Sequence, residues 1–119
     1  MTAGHLTPKR LAVVPIVVDG TALDAVVDTG FDGGLQLPDV MATVVQRAHL
    51  RQEGYQYPDG RVVTYDIYLV GVELGGEDVV TEAIFSPSDE VLVGSKLLAD
   101  YRLTIDYPAG VVTLERTRP

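Results

Sequence analysis

The residues with the strongest claim to chemistry are Asp28-Thr29-Gly30. They follow Ala25-Val26-Val27, an apolar run that predicts a buried strand, so Asp28 is a carboxylate at the end of an element that belongs in the core. Burying a lone charge is costly unless it is paired or neutralised, so a carboxylate at this place needs a reason. As a general acid or base it would have one. Thr29 brings a hydroxyl that can lock a tight turn onto backbone groups, and Gly30 brings backbone freedom or room for close approach. A plain turn is the other reading of the same three residue types.

The remaining candidates are weaker. Asp39 suits the positive end of a helix, Asp59 suits a turn, and Asp106 alternates with Thr104 on a strand. His5 and His49 lie far apart with no nucleophile at a recognisable spacing. With no cysteine, disulfide scaffolds, thiolate metal sites and cysteine nucleophiles are excluded. No dense Asp array of the calcium-loop type is present, so neither a metal nor another cofactor is expected. Tyr55, Tyr57, Tyr65 and Tyr68 gather in one stretch, where tyrosines are commonly structural.

The elements that must position Asp28 read as β. Residues 1–10 lack periodicity and predict a flexible tail, with one domain over 11–119. Leu11 to Val18 is a valine-rich strand interrupted by Pro15, which suggests an edge or a bend. Asp19-Gly20 turns it into Ala22 to Val27. Further hairpins are expected at Pro58-Asp59-Gly60, at Gly75 to Asp78 and at Pro108-Ala109-Gly110. Pro38 to Ala48, with Val40, Val44, Val45 and Ala48 at helical spacing, predicts the main helix, and Ser95 to Ala99 a short one. Val26-Val27-Asp28-Thr29-Gly30 is faintly echoed by Val91-Leu92-Val93-Gly94-Ser95. The fold class is all-β, a barrel or sandwich.

Asp28-Thr29-Gly30-Phe31-Asp32-Gly33 after a valine-rich strand, then Leu35-Gln36-Leu37-Pro38, resembles the retropepsin-like branch of the aspartic proteases, in particular the bacterial single-domain group with D-T-G-F. Val91 to Leu98, followed by Tyr101 to Tyr107, looks like that family's psi-loop, short helix and terminal strand. The resemblance implies a closed β-barrel of the acid protease fold with one main helix and one short C-terminal helix. It makes Asp28 the catalytic aspartate. Thr29 would bond across a dimer, and the Gly30 carbonyl would receive the substrate backbone. Asp32 would contact the substrate main chain. The hairpin around Tyr57 to Arg61 would be the flap, so that Tyr57, Asp59, Gly60 and the psi-loop Val93 are expected to face substrate. Three features depart from the family. Ser95 stands where retroviral relatives carry an arginine that pairs with the acidic position, the hairpin tip is Pro58-Asp59-Gly60 rather than glycine-rich, and the chain continues past Tyr107.

Such chemistry needs two carboxylates sharing one proton, and the chain carries one D-T-G. The resemblance therefore implies a homodimer acting on a peptide or protein, with a non-catalytic dimerisation or peptide-binding module as the alternative. A net charge of −8 argues against nucleic acid as a partner. No apolar run approaches a membrane span, and residues 1–10 have no apolar stretch of the secretory kind, so a cytoplasmic protein is expected.

Overall fold

The computed structural model describes residues 1–118, so Pro119, the last residue of the expected domain, lies outside it. Ten strands run in the order β1 (Thr2–Leu6), β2 (Ala12–Val18), β3 (Thr21–Val27), β4 (Leu35–Pro38), β5 (Ala48–Gln56), β6 (Val62–Leu74), β7 (Glu77–Ser86), β8 (Leu92–Val93), β9 (Tyr101–Asp106) and β10 (Val111–Arg116). One four-residue helix, α1 (Ser95–Leu98), follows β8. The strands hydrogen-bond in the order β5-β6-β7-β4-β8-β3-β2-β1-β10-β9, and the far end of β6 also pairs β2.

The turn chemistry explains the hairpins. Asp19 and Gly20 both have positive φ, as do Gly75 and Gly76, which is the two-residue turn whose twist matches paired strands. Pro15 is accommodated on β2 for a related reason. One edge of β2 is taken by β3 from Val13 to Val18; the other meets β1 at Ala12 and Val13, then β6 at Val17 and Val18. Pro15 falls in the gap between them, where no donor is needed.

Two expectations are corrected. Residues Thr2–Leu6 are a strand inserted between β2 and β10, with Thr2 buried. Gly4 hides the pattern: a side chain there would strike the Val13 carbonyl, so close strand approach requires the glycine that made the segment look like a tail. The expected helix over 38–48 is a five-residue 3-10 helix, Asp39–Thr43, and β5 already begins at Ala48. Val40 and Val44 are exposed, and of the four helically spaced residues Val45 alone enters the core. Thr43-Val44-Val45 is a β-branched run that loses rotamer freedom in a helix. Tertiary partners then take over the backbone: the Gln46 amide donates to Asp19 Oδ2 at 3.2 Å, and Arg47 donates to the carbonyls of Ala42 and Val45.

The core gathers alternate residues of the strands, among them Val14, Ile16, Val18, Leu35, Leu37, Val70, Val72, Leu74, Val93, Val112 and Leu114. Each such side chain contributes about 1.5–3 kcal/mol on burial. This core fixes the ends of β3 and β8, from which the site emerges.

Candidate active site

The echo between the two apolar-to-glycine segments becomes contact. β3 and β8 run parallel, Val26 opposite Leu92 and Val27 opposite Val93. The ladder continues one step past β3: the Asp28 amide donates to the Val93 carbonyl at 2.9 Å. Beyond it the chain turns. The Gly30 amide donates to Asp28 Oδ1 at 3.0 Å and the Phe31 amide to the Asp28 carbonyl at 3.1 Å. Asp28 is thereby half-buried with its carboxylate oriented by its own turn, while Thr29 and Gly30 are exposed.

The loop after the turn is laced to the start of α1. Gly94 donates to the Gly34 carbonyl at 2.9 Å, Ser95 to Phe31 at 2.9 Å and Lys96 to Gly33 at 3.0 Å. This approach depends on two glycines. A Cβ on Gly94 would collide with the carbonyl oxygens of Gly33 and Phe31, and one on Gly34 with Thr81 and the Glu82 carbonyl.

Beside this loop, under strand β5, lies a cavity of about 210 Å³ lined by Phe31, Asp32, Gly33, Gly34, Leu35, Glu53, Tyr55, Ile67, Glu82, Ala83, Ile84 and Lys96. Three of its charged residues, Glu53, Glu82 and Lys96, form a network with the neighbouring Arg51. Arg51 reaches Glu53 at 2.6 Å and Glu82 at 2.5 Å, and Lys96 Nζ reaches Glu82 at 3.1 Å. The Tyr55 hydroxyl donates to Glu53 Oε2 at 3.1 Å. Burial acts to raise the Glu82 carboxyl, but the bonds from Arg51 and Lys96 outweigh it and hold the group below its ordinary value. Glu53 is lowered by its hydrogen bonds from Arg51 and Tyr55. The Tyr55 phenol is raised by burial first, then by its bond to Glu53 and by the neighbouring charges of Glu53 and Asp32.

Of the residues expected to meet substrate, Asp32 is exposed and lines the cavity. Tyr57, Asp59 and Gly60 sit at the tip of the β5–β6 hairpin, away from the cavity lining. That tip is tightly bonded. Tyr57 N–H donates to the Arg61 carbonyl at 2.8 Å and Gly60 N–H to Tyr57 at 2.9 Å. The Asp59 carboxylate takes both the amide and the Nε of Arg61, whose guanidinium lies 5.2 Å from the Tyr57 ring centre. Asp59 is therefore committed to its own turn. Val93 is fully buried, so its side chain offers no surface to a peptide; its carbonyl, which receives Asp28 N–H, is what it lends the site.

Sequence reasoning missed Arg51, Glu53, Glu82 and Lys96. Arg51, Glu53 and Tyr55 share one face of a strand by simple alternation, a signal that was there to find. Glu82 comes from β7, thirty-one positions from Arg51, and no local pattern joins the two. Among the described residues no cation pairs with Asp32: Ser95 follows Gly94, and the next residue, Lys96, pairs with Glu82.

No family model matches the sequence, and no curated protein matches it either. Solved structures do. The chain is similar to a retropepsin-like aspartic protease from Rickettsia conorii, with a TM-score of 0.70 at 16% identity over 94% of this chain and 87% of that one. It is also similar to the simian foamy virus (mac) protease, with a TM-score of 0.61 at 20% identity over 73% of this chain and 91% of that one. These likenesses show that the chain has the retropepsin-like fold of these aspartic proteases.

Proposed function

We propose that the chain is an aspartic endopeptidase whose active site forms when two copies pair about a two-fold axis. The observation that carries this reading is the Asp28 turn: a carboxylate at the end of a core strand, its backbone held by Val93 and its Oδ1 by Gly30 N–H, leading into the loop Phe31 to Gly34 that lines a cavity. One chain supplies one such carboxylate, and the partner's copy supplies the second. Two carboxylates brought close cannot both carry charge, so the pair holds one proton between them. The ionised member takes a proton from a water held between them, the water attacks the peptide carbonyl, and the protonated member donates to the carbonyl oxygen. In this reading Thr29 ties the two loops across the axis, and the Gly30 carbonyl receives the substrate backbone. The β5–β6 hairpin acts as the flap, with Tyr57, Asp59 and Gly60 nearest the peptide. The pairing of β6 with β2 supports a closed barrel, since it joins the two ends of the run from β2 through β3, β8, β4 and β7 to β6.

The test is a mixed-peptide cleavage screen between pH 4 and 7, with wild type and Asp28→Asn purified side by side. Cleavage by wild type and its loss in the variant support the reading. Equal activity in both places the chemistry elsewhere. No activity in either, from a well-formed dimer, favours a peptide-binding module on the same fold.

A further inference from the structure

The cavity beside the D-T-G loop is small and uneven in character. At about 210 Å³ it lies below the roughly 300 Å³ at which small-molecule pockets begin, and it suits one side chain. Its floor is apolar, from Leu35, Ile67 and Ala83, all buried. Its charged lining comprises the carboxylates of Asp32, Glu53 and Glu82 and the ammonium of Lys96. The lining ammonium of Lys96 and the neighbouring guanidinium of Arg51 are already committed. Lys96 and Arg51 converge on Glu82, and Arg51 also takes Glu53. Among the described residues none donates to Asp32, which is exposed at the mouth. An occupant that suits both parts has an apolar stem and a cationic tip, which is the build of lysine and arginine. A glutamate or aspartate would set its charge against three carboxylates.

We propose, on the aspartic-protease reading above, that this cavity is a substrate subsite that selects a lysine or arginine side chain, with Asp32 as the group that receives its charge. Lys96 opposes the selection from the other side of the cavity and tempers it. Asp32 is free for this role because no arginine follows Gly94 and Lys96 is held by Glu82.

The test uses peptides that carry a hydroxyl-bearing tetrahedral carbon in place of the scissile carbonyl, made in pairs that differ only in lysine against norleucine. The substitution is scanned along the positions flanking the hydroxyl, and binding is measured by titration calorimetry. At one position the lysine peptide is expected to bind about fivefold tighter, the scale of an exposed ion pair. Asp32→Asn should bring that ratio close to one, and Lys96→Met should increase it. The ratio cancels any loss common to both peptides, so a general weakening of main-chain contacts leaves it unmoved. A ratio near one at every position, a preference that survives Asp32→Asn, or no binding of either peptide at millimolar concentration overturns the proposal. Cleavage assays on matching substrates keep the two readings apart. Turnover lost in Asp28→Asn without a lysine preference sinks the subsite alone, whereas a lysine preference that depends on Asp32 without turnover sinks the protease reading alone.

Discussion

The amide of Asp28 donates to the carbonyl of Val93 at 2.9 Å, one step beyond the last paired residues of two parallel strands. The backbone of Asp28 is thus positioned by hydrogen bonding between β3 and β8 and by the burial of Val93. Its carboxylate is oriented by accepting Gly30 N–H at Oδ1.

Asp28→Asn should therefore preserve the fold, because the asparagine Oδ1 accepts the same amide. Its unfolding free energy is expected to match wild type to within about 0.5 kcal/mol. Peptide hydrolysis should fall by at least the roughly 10²–10⁴-fold typical of one general acid–base group. Parallel urea titration and cleavage assays check both halves.

Assembly should depend on pH through the same residue. If two carboxylates share one proton in the dimer, pairing takes up a proton and is favoured as pH falls. Repulsion between chains of net charge −8 has the same sign as pH rises. Sedimentation equilibrium between pH 5 and 7.5 should show a weaker dimer at the higher pH, with a shallower dependence for Asp28→Asn. Identical dependences in the two proteins would mean that the carboxylates do not meet.

Gly94→Ala should destabilise the monomer fold. The new Cβ would lie 2.7 Å from the Phe31 carbonyl oxygen and 2.6 Å from the Phe31 ring, and overpacking of this kind costs about 1–3 kcal/mol. The melting temperature should drop by roughly 5–15 °C. Gly71→Ala is the control: it lies in β6 with open space around its would-be Cβ and without positive φ, so its melting temperature should hold or rise.

Stability should decline in acid through the network beside the site. Glu53 and Glu82 are held below their ordinary value of 4.5, and Asp66, bonded to His49 and Gln52, below 3.8. A lowered folded value means that the unfolded chain takes up its proton first on acidification. The stability so contributed is present above the unfolded values and is lost as pH falls through the folded ones. The urea midpoint should be lower at pH 3 than at pH 6, and Glu82→Gln should flatten that difference. Glu53 and Asp66 are about a third or more exposed, so solvent screening keeps the effect of each small.

Several features were legible in the residues themselves. Asp19-Gly20, Pro58-Asp59-Gly60, Gly75-Gly76 and Pro108-Ala109-Gly110 each mark a hairpin, because the backbone angles of a tight turn admit few residue types. The D-T-G after Ala25-Val26-Val27, and its echo at Val93-Gly94, pointed to the two strand ends that the fold brings side by side. What tertiary structure alone decided is the fate of segments whose local pattern was weak or ambiguous. Thr2–Leu6 became a strand because β2 and β10 offer it partners on both sides. Residues 44–48 left the helix because Asp19, the Ala42 carbonyl and the β6 edge compete for their hydrogen bonds. Among the described residues Asp32 has no cation partner, since Lys96 and Arg51 meet at Glu82. Turn formation depends on the few residues within the turn, whereas strand pairing and ion-pair choice depend on groups dozens of positions away, whose proximity exists only once the sheet has formed.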